Sequence, residues 1–188
     1  MDFSKAFDTV NHEILPTKLE FYGIRGIVKD WFTSYLSNRK QFVSLGNTQS
    51  GKLNISCGVP QGSVLGPLFS LIYINDFHKC SKQLHFHLFT DDANLFLKHK
   101  NVNILESNLN NELSKVHSWL CANKLSLNIN KSNFTLFHPI QRKIPKSVTL
   151  FINNQSLTEE HSIRYLGIYI DSNLNWKSHI NCNLSGSF

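Results

Sequence analysis

Cysteine is scarce and scattered in this sequence. Cys57, Cys80, Cys121 and Cys182 are the only four, and no two of them form a C-x-x-C pair. That spacing excludes a zinc site and a disulfide framework and leaves reduced thiols in an intracellular protein, nuclear or cytoplasmic. Long apolar runs are missing too. The longest, Val64 to Ile74, is broken by Gly66 and Pro67 and is too short to span a bilayer. The opening Met1-Asp2-Phe3-Ser4-Lys5 lacks the apolar core of a secretory signal. No internal repeat or low-complexity tract is present, which excludes solenoids and fibrous classes. Acids are outnumbered, 13 against 19 basic residues, for a net charge of +6 and a pI near 9.2. That excess admits a polyanionic partner without demonstrating one. What is present suits a globular domain: 188 residues, 41% hydrophobic and 17% charged.

The chain mixes helical and strand patterns. Asn11 is placed to cap a helix through Leu15, Leu19 and Phe21 that ends at Gly23. Pro16 requires a late start or a kink there. Ile27, Trp31, Tyr35 and Leu36 recur at helical spacing, with Trp31 and Tyr35 expected in the core. Gln41 to Leu45 and Lys52 to Cys57 read as paired strands around a turn at 47–51. Ile104, Leu105, Leu109, Leu113, Val116 and Leu120 mark a long amphipathic helix. Strands are expected at Phe134–Phe137, Ser147–Ile152 and Arg164–Ile170, with a basic loop from Pro139 to Pro145. Residues 181–188 carry no pattern and read as a frayed tail. Helices interleaved with antiparallel hairpins make the class α+β.

Two stretches suggest chemistry. Leu84–Phe89 and Ala93–Leu97 read as strands of a tight hairpin with Asp91 and Asp92 at its tip. Adjacent carboxylates repel and are favoured where a cation or solvent neutralises them. Aspartate is also an ordinary turn residue. The second stretch, Gly58-Val59-Pro60-Gln61-Gly62-Ser63-Val64-Leu65-Gly66-Pro67, holds three glycines and two prolines. It reads as a specified loop entering a helix capped by Ser63. Such a loop lets backbone approach a ligand closely, and a helix start favours anions.

Five stretches in order resemble the palm of a reverse transcriptase of the non-LTR retrotransposon type. Asp2-Phe3-Ser4-Lys5-Ala6-Phe7-Asp8 is similar to the family's first catalytic motif, and Gly58 to Pro67 resembles its second. Phe89-Thr90-Asp91-Asp92 resembles its third, usually written F-A-D-D. Leu125-Ser126-Leu127-Asn128 with Lys131 resembles the fourth, and Tyr165-Leu166-Gly167 the fifth. Leu174 to Ile180 resembles the entry to the thumb. The resemblance covers nearly the whole chain: a partial palm over 1–170, then the start of a thumb or a frayed tail over 171–188. It implies an antiparallel sheet packed with helices, with the fingers region absent and the thumb cut short.

The resemblance implies RNA-directed DNA polymerisation: attack of a primer 3′-hydroxyl on the α-phosphate of an incoming deoxynucleotide, assisted by two magnesium ions, with manganese as a substitute. Its partners would be an RNA template, a DNA primer and deoxynucleoside triphosphates, with no membrane. Asp2 and Asp91 would be the principal metal ligands. Asp92 would support them or simply set hairpin geometry. Phe7 would lie under the incoming sugar and exclude a 2′-hydroxyl, unless it is a core residue. Asp8 would brace its motif. Pro60, Gln61 and Gly62 would meet the incoming nucleotide. Lys131 would protonate pyrophosphate or stand as a solvated lysine. Tyr165, Leu166 and Gly167 would support the primer end or form a plain turn. Thr90 departs from the family's alanine, and its β-branched bulk would press toward the primer terminus. A catalytically dead relic that at most binds nucleic acid is the alternative. A maturase or RNA polymerase palm shares the same aspartates.

Overall fold

The helix at the amino end forms because its two ends are satisfied by single residues. In the computed structural model, which describes residues 1, 3, 7–60, 62–89, 92–142 and 147–185, α1 spans Ile14–Phe21. Asn11 Oδ1 accepts from the N–H groups of Glu13 and Ile14 at 3.0 and 3.1 Å. Gly23, at φ +87°, closes the other end. Its N–H donates to Glu20 O, and Ile24 N–H donates to Leu19 O. Pro16 falls in the first turn, where no intrahelical acceptor awaits its missing N–H, so the start is late and no kink is needed. Helix α2, Gly26–Leu36, follows. Trp31 is exposed on it rather than buried, and stacks on Tyr35, which is half-buried against Phe69.

The paired strands expected next exist in a shorter, bulged form. Strands β1 (Lys40–Gln41) and β4 (Leu53–Asn54) pair, as do β2 (Ser44–Leu45) and β3 (Thr48–Gln49). Two residues separate the pairs on the outgoing side and three on the return. The extra residue is a bulge. The turn lies at Gly46-Asn47, Gly46 being at φ +57°, not at 47–51. Cys57 leaves the ribbon and bridges Asn11 instead.

Helix α3, Leu65–Ile74, leads into a 3₁₀ turn, Phe77–Cys80. The main core forms here. Phe69, Tyr73 and Phe77 are fully buried, and Phe77 contacts the rings of Phe3, Phe86 and Trp119 at 5.7, 5.0 and 4.7 Å between centroids. Tyr73 Oη donates to Asn123 O at 2.6 Å. The hairpin of β5 (His85–Phe89) and β6 (Asp92–Phe96) lies over this core, its register running from Phe89↔Asp92 to His85↔Phe96. Helix α4, Val102–Ala122, is the expected amphipathic helix, and Asn101 Oδ1 caps it through the N–H groups of Asn103 and Ile104.

The last third builds a second, smaller core of Leu113, Val148, Leu150, Ile152 and Leu157. After a 3₁₀ turn at Ile129–Lys131 come β7 (Asn133–Phe134), β8 (Phe151–Ile152), β9 (Gln155–Ser156) and β10 (Thr158–Glu159). Strands β8 and β9 turn through Asn153-Asn154, both at positive φ, while β7 pairs in parallel with β10. The expected strand at 164–170 is instead a hairpin, β11 (Ser162–Tyr165) and β12 (Ile168–Asp171). Leu166 and Gly167, at φ +48° and +86°, supply the two-residue turn that reverses it. The tail expected to be patternless is helical as far as Ser185, in α5 (Lys177–Ser185).

The class is α+β as expected. Among the described residues, however, the strands form six two-stranded ladders, five antiparallel and one parallel, rather than one continuous sheet. No disulfide joins any of the four cysteines. Among the described residues no helix is long and apolar enough to cross a membrane.

Candidate functional site

The β5/β6 register pairs Phe89 with Asp92 across two intervening positions, so the hairpin read from the sequence is present. Those positions, 90 and 91, lie outside the described residues, as do Asp2 and Gln61. Asp92 is described. It opens β6 with an exposed carboxylate, while the next residue, Ala93, is fully buried. The alternation is that of a strand with one face on the core.

The first, third and fourth candidate motifs meet through backbone contacts. Met1 N donates to Ala93 O at 2.9 Å, and Ala93 N–H donates to Met1 O at 3.0 Å. Two residues on, Phe3 forms an antiparallel bridge with Leu127 and buries its ring against Phe77. The amino-terminal segment thus lies between the start of β6 and the stretch preceding Lys131. Lys131 ends its 3₁₀ turn with an exposed side chain.

The second motif is tied to the end of the first and to the residues just after it. Val59 N–H donates to Phe7 O at 2.8 Å and Gly58 N–H to Val10 O at 2.7 Å. A ring nitrogen of His12, Nε2, lies 2.6 Å from Gly58 O. Gly58 is required twice over: its φ is +86°, and a Cβ there would come within 3.0 Å of Asp8 O. Phe7 is half-buried against the main core, which agrees with its core reading and leaves its ring partly accessible.

Beyond Gly58 the loop turns on Ser63. Its Oγ donates to Pro60 O at 2.7 Å and accepts from Gly66 N–H at 3.0 Å, so it caps the entry to α3 as expected. A Cβ at Gly66 would meet Pro60 O at 2.9 Å, whereas one at Gly62, at φ +82°, would meet nothing. Pro60 is half-buried and Gly62 exposed. Tyr165, Leu166 and Gly167 sit at the β11/β12 turn, with Leu166 exposed. His12 was not anticipated as part of the loop's support. Its contact links residues 46 apart, and no local pattern signals that.

Among the described residues no group of three or more His, Cys, Asp or Glu side chains stands ready to hold a metal. Of the three expected ligands only Asp92 is described, and an exposed carboxylate is a hard oxygen donor suited to magnesium.

Residues 1–170 match the family model for "Reverse transcriptase (RNA-dependent DNA polymerase)". Over 190 residues the chain is 26% identical to the probable RNA-directed DNA polymerase from transposon X-element of Drosophila melanogaster, covering 96% of this chain and 20% of that protein. It is 28% identical over 187 residues to the RNA-directed DNA polymerase from mobile element jockey of Drosophila funebris, again 96% and 20%. A shorter match, 32% over 73 residues, is to the Pol polyprotein from type-1 retrotransposable element R2 of Popillia japonica, covering 38% of this chain and 12% of that protein. The chain spans about a fifth of the length of the first two of these curated relatives.

Proposed function

Because the chain belongs to the reverse transcriptase (RNA-dependent DNA polymerase) family, we propose that it forms the palm of an RNA-directed DNA polymerase of the non-LTR retrotransposon type. The palm extends a DNA primer on an RNA template with deoxynucleoside triphosphates. One observation carries this reading. The reciprocal hydrogen bonds of Met1 and Ala93, with the Phe3–Leu127 bridge, bring three candidate motifs to one edge of the β5/β6 hairpin.

In this reading Asp2 and Asp91 hold two magnesium ions and Asp92 supports them through a third carboxylate. When bound, the ions would activate the primer hydroxyl and stabilise the leaving pyrophosphate. Phe7, its carbonyl held by Val59 N–H, presents the accessible part of its ring toward the incoming sugar. Pro60, Gln61 and Gly62 offer loop backbone to the nucleotide. Lys131 donates a proton to pyrophosphate. Tyr165, Leu166 and Gly167 steady the primer end.

Primer extension by the purified chain on an RNA template with magnesium tests this. The Asp91→Asn protein should bind template–primer normally and extend nothing. Extension that survives the substitution would overturn the assignment of Asp91. Salt-sensitive binding with no extension by the unaltered chain would favour a nucleic-acid-binding remnant, which the net charge of +6 also allows.

A further inference from the structure

Two side chains of α4 that lie outside every candidate motif come together on adjacent turns. His117 and Cys121 stand four residues apart, the spacing that stacks side chains on one face of a helix. Cys121 Sγ lies 3.5 Å from His117 Nε2 and 4.0 Å from Nδ1, so the sulfur and one ring nitrogen converge within hydrogen-bond reach. Cys121 is exposed and His117 half-buried, so small ions can reach the sulfur while packing restricts the ring.

The separation fits one coordination geometry. A tetrahedral zinc ion holds sulfur at about 2.3 Å and imidazole nitrogen at about 2.0–2.1 Å, which sets the two donors about 3.6 Å apart. At the same bond lengths, donors on opposite sides of a linear ion would stand about 4.3 Å apart. The observed 3.5 Å matches the tetrahedral edge, with Nε2 as the donor. The position on the helix favours a cation too. Cys121 lies in the last turn of α4, where the carbonyl ends attract positive charge, and no basic side chain lies in that turn. Lys124, just beyond, is engaged with Glu13 at 3.2 Å. Sulfur and imidazole suit a borderline-soft ion, whereas magnesium wants carboxylate oxygens.

We propose that His117 and Cys121 bind one borderline-soft divalent cation of the zinc type at the carboxyl end of α4. Binding breaks the S–H bond of Cys121 and forms a metal–sulfur bond, and the proton passes to solvent. His117 coordinates as a neutral imidazole through Nε2 and keeps its proton on Nδ1. Two protein donors leave two positions of the tetrahedron to water, so the site is open, unlike a closed structural zinc centre. No C-x-x-C pair is needed. Histidine and cysteine four apart form a chelate here because the segment between them is helical.

The test titrates cobalt(II), a coloured stand-in for zinc, into the reduced 188-residue chain without oxygen. The Cys121→Ser, His117→Gln and Cys182→Ser forms are run beside it, with helicity checked by circular dichroism. One equivalent should bind and give a sulfur-to-cobalt charge-transfer band, which zinc abolishes and excess magnesium does not. Cys121→Ser should remove the band, His117→Gln should weaken binding by about tenfold or more, and Cys182→Ser should change neither. In the native chain zinc should slow alkylation of Cys121 and leave Cys57 and Cys182 at their own rates. A band that survives Cys121→Ser, binding indifferent to His117→Gln, or equal protection of all three exposed thiols would mean adventitious binding and overturn the proposal. So would displacement by magnesium, or the absence of both band and protection at millimolar metal.

Discussion

Gly58 and Asp8 touch backbone to backbone, at the point where the glycine-rich loop passes the end of the first motif. A Cβ on Gly58 would lie 3.0 Å from Asp8 O and 3.1 Å from Asp8 Cα, at a φ of +86°. Gly62 shares the positive φ, +82°, with open space around it. Alanine at Gly62 should therefore cost only the backbone penalty, about 1 kcal/mol. Alanine at Gly58 adds a clash that the backbone itself must absorb, for roughly 1–3 kcal/mol more. Urea unfolding of the two variants checks the difference, and equal losses would contradict the close approach.

That loop also shows where sequence reading succeeds and where it stops. Asn11, Gly23 and Ser63 were legible because each satisfies helix-end groups within three residues of itself. The β5/β6 hairpin was legible because its alternation is local. The ribbon's bulge, the parallel pairing of β7 with β10 and the support of Gly58 by His12 join distant residues and leave no local periodicity. The hairpin within 164–170 was misread as one strand because a leucine, not asparagine or glycine, holds its first positive-φ position. The exposed Trp31 shows that helical spacing identifies an apolar face without showing that anything covers it.

Lys18 should give stability a distinctive response to alkali. Its ammonium is nearly buried, donating to Tyr73 O at 2.6 Å and to Asp76 Oδ1 at 2.5 Å. Burial lowers its pKa below the usual 10.5, and Asp76 opposes that shift. The unfolded chain then holds the proton more tightly than the folded one. Stability should rise as pH climbs through the lowered folded-state pKa toward 10.5 and level off above it. Below that window the contribution is constant. Thermal melts from neutral pH to 10.5, with Lys18→Met as reference, isolate it: the difference curve should slope in the native chain's favour with rising pH. Asp76→Ala at neutral pH strands the buried ammonium and should cost about 2 kcal/mol, below the fully buried range because Asp76 is partly exposed.

The cysteines should separate cleanly by reactivity. Cys57, Cys121 and Cys182 are exposed, whereas Cys80 is half-buried and burial pushes its thiol up to about 11. Thiolate, not thiol, attacks disulfide reagents. The native protein at mildly alkaline pH should therefore release three equivalents rapidly and the fourth only slowly, with denaturant making all four alike. Prompt labelling of Cys80 in the native state would contradict its burial.

Leu166 separates a structural role from a functional one at the position proposed to support the primer end. It is exposed and held at φ +48°, beside Gly167 at +86°. A leucine in that conformation costs roughly 1–2 kcal/mol, and this type of turn favours Asn-Gly. Leu166→Asn should therefore stabilise the chain by up to about 1 kcal/mol, read as a higher urea midpoint. If the leucine serves only the turn, primer extension and primer affinity should be unchanged or improved by the added rigidity. If it supports the primer end, the same substitution should raise stability and weaken primer affinity together. Retaining a strained apolar residue at an exposed turn is then explained by substrate contact, because folding alone favours its replacement. A loss of both stability and affinity would contradict the turn geometry itself.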